Sequence, residues 1–245
     1  MEIMTILWRE WIFFKRRFWK ITSALIVTPL LYLVTFGFGV GSSVTVEGKS
    51  YLFYILPGII ALTTMRASYS AISMRISVSR LHEKSFEMYL ISPTRMYMLT
   101  LGHVLAGAFR GMYSAFLIIA TVALFGIFIN INFLFILTCF INSLMFACLG
   151  FLAAMIIDTH YDMNRFTSFV ITPMAFLCGT FFSLGRMPYL LRSFIELLPL
   201  THSTRLLRAI TYGYKIEGFS FLVIITYTII FYVLSVRICF EEDRA

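Results

Sequence analysis

The chain has 245 residues, of which 60% are hydrophobic and 13% charged, with a mean hydropathy of +0.87. Soluble globular domains carry about 25% charged residues, so this composition excludes a water-soluble domain and predicts a polytopic membrane protein. The net charge of +8 fits basic loops facing acidic lipid headgroups, and no nucleic-acid partner is expected.

Residues 1–20 place Met4, Leu7, Trp8, Trp11, Phe14 and Phe18 at three- and four-residue intervals, while Arg9, Glu10, Lys15, Arg16 and Arg17 take other faces. That spacing predicts an amphipathic helix in the membrane interface, with tryptophans at headgroup depth and cations toward acidic lipid. The stretch is charged throughout and lacks a small-residue cleavage site, so no cleavable leader is expected. A helix needs about 20 apolar residues to cross the bilayer core. Six stretches qualify: 21–40, 51–77, 97–129, 133–157, 165–184 and 219–239. The second and third are long enough to tilt or to project into water.

Residues 185–218 break the pattern with Pro188, Pro199 and several arginines. Their apolar runs are too short to span, which predicts short re-entrant or interfacial helices. The expected architecture is an all-α polytopic membrane protein with six transmembrane helices. It forms a single domain over 1–245, with an interfacial helix at 1–20, a charged connection at 78–95 and an outer re-entrant segment at 185–218.

Lysine and arginine counts near the span ends set orientation. With the N-terminus inside, twelve cations fall in inner segments: Arg9, Lys15, Arg16, Arg17, Lys20, Arg75, Arg80, Lys84, Arg95, Arg165, Arg237 and Arg244. Six fall outside, namely Lys49, Arg186, Arg192, Arg205, Arg208 and Lys215. The bias predicts both termini in the cytoplasm and an even number of spans across the cytoplasmic membrane.

Few residues carry chemistry. The GKS triplet at 48–50 lacks the first glycine of a phosphate loop, since Ser43 stands there, and no strand precedes it. Any ATP must therefore be bound by another chain. Asp158, His160 and Asp162 join the fourth and fifth spans. Such a set could ligate a divalent metal, but a solvated turn capping the next helix accounts for it. His202, in the outer segment, suits hydrogen bonding at a helix start. Cys139, Cys148, Cys178 and Cys239 are widely spaced in apolar runs and form neither a zinc motif nor a disulfide framework.

Arg66 and Arg110 are more informative, because each falls in the middle of a span, where a guanidinium faces a bundle interior or an aqueous cavity. His103, seven residues before Arg110, shares nearly the same helical face. Together they read either as a polar lining for an anionic or amphiphilic substrate or as structural polar contacts. Gly107 and Gly111 form a GxxxG motif for close helix approach, with the partner left open between this chain and another. No Ser-His-Asp set, catalytic carboxylate pair or HExxH motif is present, so no enzyme active site is expected.

RLHEKSFEMYLISPTR, at 80–95, is unusually charged for this chain. A short amphipathic helix there would press Phe86, Met88, Tyr89, Leu90 and Ile91 into a partner's groove while the flanking charges set register. Pro93 would end it sharply.

In chain order, YLFYILPGII (51–60), HEKSFEMYLISPT (82–94), GAFRG (107–111), FVITPMAFLCGTFFSLGRMP (169–188) and LPLTHSTRLLR (198–208) resemble the membrane subunits of type-2 ABC exporters, in particular the lipo-oligosaccharide (nodulation-type) and multidrug export permeases. The resemblance spans nearly the whole length. It implies a homodimer of permeases on a separate ATPase dimer that binds ATP and Mg, with no cofactor in this chain. It also implies a coupling helix at the second connection, where Glu83, Glu87, Leu90 and Pro93 match the family pattern, with Lys84 and Phe86 among them. His202, Arg205 and Arg208 would belong to short outer helices that re-enter the membrane. The cargo would be an amphiphile: a lipid-linked glycan, a lipid or a hydrophobic drug. Two alternatives remain at this point. A proton-driven secondary transporter would want carboxylates inside the spans, and none lies there. A non-transporting assembly subunit would be indifferent to any ATPase.

Overall fold

The computed structural model describes residues 2–32, 34–35, 45–46, 49–86, 88, 95–182 and 187–244. Helix α1 (Glu2–Arg16) turns at Arg17 into α2 (Phe18–Tyr32). Two-residue strands β1 (Thr45–Val46) and β2 (Lys49–Ser50) pair antiparallel before α3 (Tyr51–Leu81). Then follow α4 (Met96–Leu124), α5 (Phe133–Ile156), α6 (His160–Phe166), α7 (Thr172–Leu177), α8 (Tyr189–Leu197), α9 (Pro199–Tyr212) and α10 (Gly218–Arg244).

Among the described residues, four helices are long and apolar enough to cross a membrane: α3, α4, α5 and α10. The expected first span is represented by α2, an apolar helix of 15 residues; the rest of that expectation, 36–40, lies outside the described residues. The expected fifth span is not one continuous α-helix. A π-helical turn (Thr167–Ile171) joins α6 to α7. Pro173 has no N–H to offer the carbonyl four residues back, and the ladder slips just before it, with the Thr172 N–H bonding the Thr167 carbonyl. Helix α7 then stops at Leu177.

Helix α3 is the hub, packed against α4, α5 and α9. Its hydroxyls do not oppose burial, because they bond back into their own helix: Thr63 Oγ1 donates to the Ile59 carbonyl at 2.7 Å and Ser68 Oγ to that of Thr64 at 2.7 Å. Asn142 of α5 ties the hub across the interface, donating from Nδ2 to the Ala61 carbonyl at 3.0 Å and to Thr64 Oγ1 at 2.9 Å.

The GxxxG of α4 is satisfied within the chain. A Cβ at Gly107 would stand 2.8 Å from that of Ala147 on α5, and it would also collide with Ile72 on α3. One at Gly111 would stand 2.7 Å from the Ser143 Cβ. All four cysteines are buried and unbridged.

The end of the bundle that holds Leu81 and Met96 is called basal here. There α3 ends as the His82 and Glu83 N–H groups both bond the Val78 carbonyl, and Lys84 takes φ +49, reversing the chain without a glycine. Helix α1 lies against α4 at this end, with Ile6 buried over Gly102. Its Met4, Trp8 and Trp11 point outward, as the periodicity predicts.

Candidate functional site

The two arginines singled out in the sequence converge. Arg66 of α3 and Arg110 of α4 both line a cleft of about 660 Å³ that α1 and α2 close from the other side. On α3 the floor is a stripe of Thr63, Ala67, Ser70, Met74 and Val78. These positions recur at helical spacing on one face, and Arg66 and Arg75 stand at its two edges. Arg17 and Lys20 add two cations from the α1–α2 junction, while Glu10 and Glu83 are the acidic members.

Phe13 organises the basal half. The guanidinium carbons of Arg17, Arg75 and Arg110 lie 4.7, 4.9 and 5.7 Å from its ring centroid, where the ring's negative face attracts each cation. Glu10 is consumed locally. Its Oε1 accepts from Arg75 Nε at 3.2 Å and lies 3.6 Å from Arg9 Nη2. Burial and the nearby Arg75 charge push the Arg9 guanidinium below its ordinary value, against the pull of Glu10. Five cations therefore face two carboxylates in the cleft, one of which is already paired.

Neither Arg66 nor Arg110 has a hydrogen-bond or ion-pair partner among the described residues; Arg110 meets the Phe13 ring. His103 departs from the expectation. It shares the angular face of Arg110 but sits about 10 Å lower on α4 at 1.5 Å per residue. There it is fully buried, with its ring 6.2 Å from that of Phe151, and it takes no part in the cleft.

Glu10, Phe13 and Arg75 were missed as site residues in the sequence. The small-residue stripe beside Arg75 was the available signal, but which face α1 turns inward is settled only by packing.

The other predicted residues have structural partners. His202 is buried in α9, where its Nε2–H donates to the Glu196 carbonyl at 2.8 Å and its Nδ1 lies 3.2 Å from Ser220 Oγ. Arg205 bridges Glu196 and Glu217 at 3.2 and 3.3 Å, and Arg192 also pairs with Glu196 at 3.1 Å. Arg208 donates to the Gly179 carbonyl at 2.9 Å and covers the Tyr54 ring at 3.9 Å. These contacts bolt α8, α9 and the residues after α7 to α3 and α10.

Thr159, rather than an aspartate, caps α6 by accepting from the Asp162 N–H at 3.0 Å. Asp158 pairs with Arg80 at 2.8 Å, and His160 lies 3.1 Å from His82 and 3.3 Å from Ser77 Oγ. The basal end of α3 is thereby fastened to the α5–α6 turn.

Of the expected coupling residues, Glu83 and Lys84 are exposed, whereas Phe86 is only 2% exposed and belongs to the chain's own core. Phe86 thus packs inward in this chain, and the neighbouring apolar side chain that faces outward is Met88, 72% exposed. Glu87, Leu90 and Pro93 lie outside the described residues.

A helical bundle with four helices of spanning length and a cationic cleft that reaches the middle of two of them defines an integral membrane protein. The chain belongs to the ABC-2 type transporter family, whose profile matches residues 1–212. It is 26% identical over 179 residues to the inner membrane transport permease YadH of Escherichia coli K12, covering 72% of this chain and 70% of that protein. It is 30% identical over 189 residues to nodulation protein J of Bradyrhizobium diazoefficiens, covering 74% and 70%, and 26% identical over 187 residues to that of Rhizobium meliloti, covering 76% and 71%. Membership makes the chain the membrane subunit of an ABC transporter rather than a catalytic enzyme, and it implies an ABC ATPase partner.

Proposed function

We propose that this chain is the transmembrane half of an ATP-driven exporter in the inner membrane, moving an amphiphile outward while a separate subunit binds and hydrolyses ATP with Mg. The observation that carries this reading is the cleft, which runs from the basal end to Arg66 and Arg110 at mid-helix and opens beside lipid-exposed aromatic residues. On this reading the basal end is cytoplasmic, both termini are inside, and α2 and the α6–α7 segment complete six spans. Two copies pair to form the transport path. Helices α8 and α9 lie at the outer surface, which agrees with the exposed apolar face of Tyr189, Leu190, Phe194 and Leu197 on α8.

The region after α3 receives the ATPase. Lys84 and Glu83 flank the contact, Met88 supplies an apolar side chain, and buried Phe86 fixes the segment to the bundle. Movement of the partner then reaches α3 and α4 through the Arg80–Asp158 and His82–His160 contacts and the start of α4.

Co-purification with the ATPase encoded beside the gene tests the reading, together with two substitutions. Met88→Glu is expected to leave the permease folded while abolishing its stimulation of ATP hydrolysis. Phe86→Ala is expected to lower thermal stability, since emptying a buried phenylalanine site costs about 3–5 kcal/mol. Full stimulation by Met88→Glu, or absence of any bound ATPase, would sink the proposal.

A further inference from the structure

We infer that the cleft binds the acidic headgroup of a membrane amphiphile, whose apolar tail lies in a second groove that shares Arg110. Taking that ligand to be cargo rests on the exporter reading; the binding itself does not.

Charge comes first. Arg66 is the sixteenth residue of α3 and Arg110 the fifteenth of α4, so each stands about 20 Å from the basal end of its helix at 1.5 Å per residue. A guanidinium at that depth is costly without a counter-charge, and neither has an ion-pair partner among the described residues, while Glu10, the carboxylate whose charge reaches Arg110, is already paired with Arg75. A second copy of the chain cannot supply that counter-charge from the apolar stretches of its spanning helices. None of the chain's twelve acidic residues lies within 51–81, 96–124, 133–156 or 218–240. Five cations against two carboxylates in the cleft leave a surplus of positive charge that an anion from a different molecule would balance. One turn beyond Arg110, Ser114 lines the same cleft, fully buried, and its hydroxyl has no hydrogen-bond partner among the described residues. It is placed to donate to an oxyanion.

Shape comes second. A groove of about 410 Å³ lies on the other side of Arg110, walled by Trp11 and Phe14 of α1 and by Phe109 and Tyr113 of α4. Trp11 and Phe109 are 56% and 59% exposed, so this groove faces the lipid. Glu10, Ala71 and Arg110 line both spaces. A headgroup on the cleft side of Arg110 and a chain on the groove side would fit one molecule with an acidic head and an apolar tail, and a free inorganic anion would use only half of the arrangement.

The test is equilibrium binding to the purified full-length chain in uncharged dodecyl maltoside micelles, with dodecyl phosphate, dodecylphosphocholine and inorganic phosphate as probes. A charge-assisted hydrogen bond is worth about tenfold or more in affinity. Dodecyl phosphate is expected to bind at least about tenfold more tightly than dodecylphosphocholine. Arg66→Gln and Arg110→Gln should each lose that preference, Arg66→Lys should keep most of it, and Lys215→Gln should keep all of it. Trp11→Ala should weaken both dodecyl probes alike.

Equal binding of the two dodecyl probes, inorganic phosphate binding as tightly as dodecyl phosphate, or a preference that survives both glutamine variants would each overturn the inference. The permease is assayed without its ATPase, so the two readings fail separately. Absence of any anion preference in the unsubstituted chain beside intact ATPase coupling refutes this inference alone, and absence of an ATPase partner refutes the exporter reading alone.

Discussion

At the scale of single residues, His202 shows how a polar group is made tolerable in this bundle. With the ring neutral, Nε2–H donates to the Glu196 carbonyl while Nδ1 lies 3.2 Å from Ser220 Oγ, so one imidazole joins α8, α9 and α10. Burial holds its pKa below the ordinary 6.5, outweighing the bond to Glu196. A depressed pKa means that the unfolded chain takes up a proton before the native one. The stabilisation is therefore whole above 6.5 and is lost as pH falls below it. Thermal unfolding in detergent should show wild-type stability declining between about pH 7.5 and 5.5, and His202→Gln should decline less over that window. Parallel curves for the two proteins would refute this role.

At the scale of elements, the decisive contact is α4 against α3 and α5. Lipid offers no hydrophobic drive between helices, so their association depends on close packing and hydrogen bonds. Gly107 and Gly111 let the backbones approach, and Asn142 bonds across the resulting seam. Gly107→Leu would drive a side chain into Ile72 and Ala147. It is expected to cost about 1–3 kcal/mol as overpacking and to disturb the wall that carries Arg110. Loss of monodisperse protein on size-exclusion chromatography, with Gly126→Ala showing no comparable packing defect, checks the assignment. A Cβ at Gly126 meets nothing within 4 Å, so only its φ of +78 resists substitution.

At the scale of the whole molecule, the cations divide into two sets. Arg192, Arg205 and Arg208 of α8 and α9 are held by carboxylates, a carbonyl and an aromatic face, whereas the basal set crowds around Phe13 with a surplus of charge. Intrachain pairing lessens the weight of the outer arginines in the orientation count, and the basal end is expected in the cytoplasm. Single cysteines substituted into a chain whose own four are buried provide the check. In spheroplasts, Lys215→Cys should react with a membrane-impermeant maleimide, and Lys84→Cys should react only after permeabilisation. The opposite pattern would invert the topology.

Composition alone determined the membrane class, because no water-soluble fold can bury this much apolar surface. Residue spacing determined the outward face of α1, the four long helices and the depth of Arg66 and Arg110, since these follow from hydropathy and helical pitch. Other features were decided only by tertiary structure. Phe86 turned inward although its neighbours suggested a docking face, because a short amphipathic stretch has two sides and the sequence does not say which one the bundle takes. His103 parted from Arg110 because it packs near Phe151 in the core, and which level of α4 lines the cleft is decided by the helices packed around it. The fifth segment broke where Pro173 removed one bond, and whether such a proline kinks, slips or is absorbed depends on what packs around it. Above all, the meeting of Arg66 and Arg110 in one cleft joins residues 44 positions apart in sequence, and only the packing of α1 and α2 against α3 and α4 could bring it about.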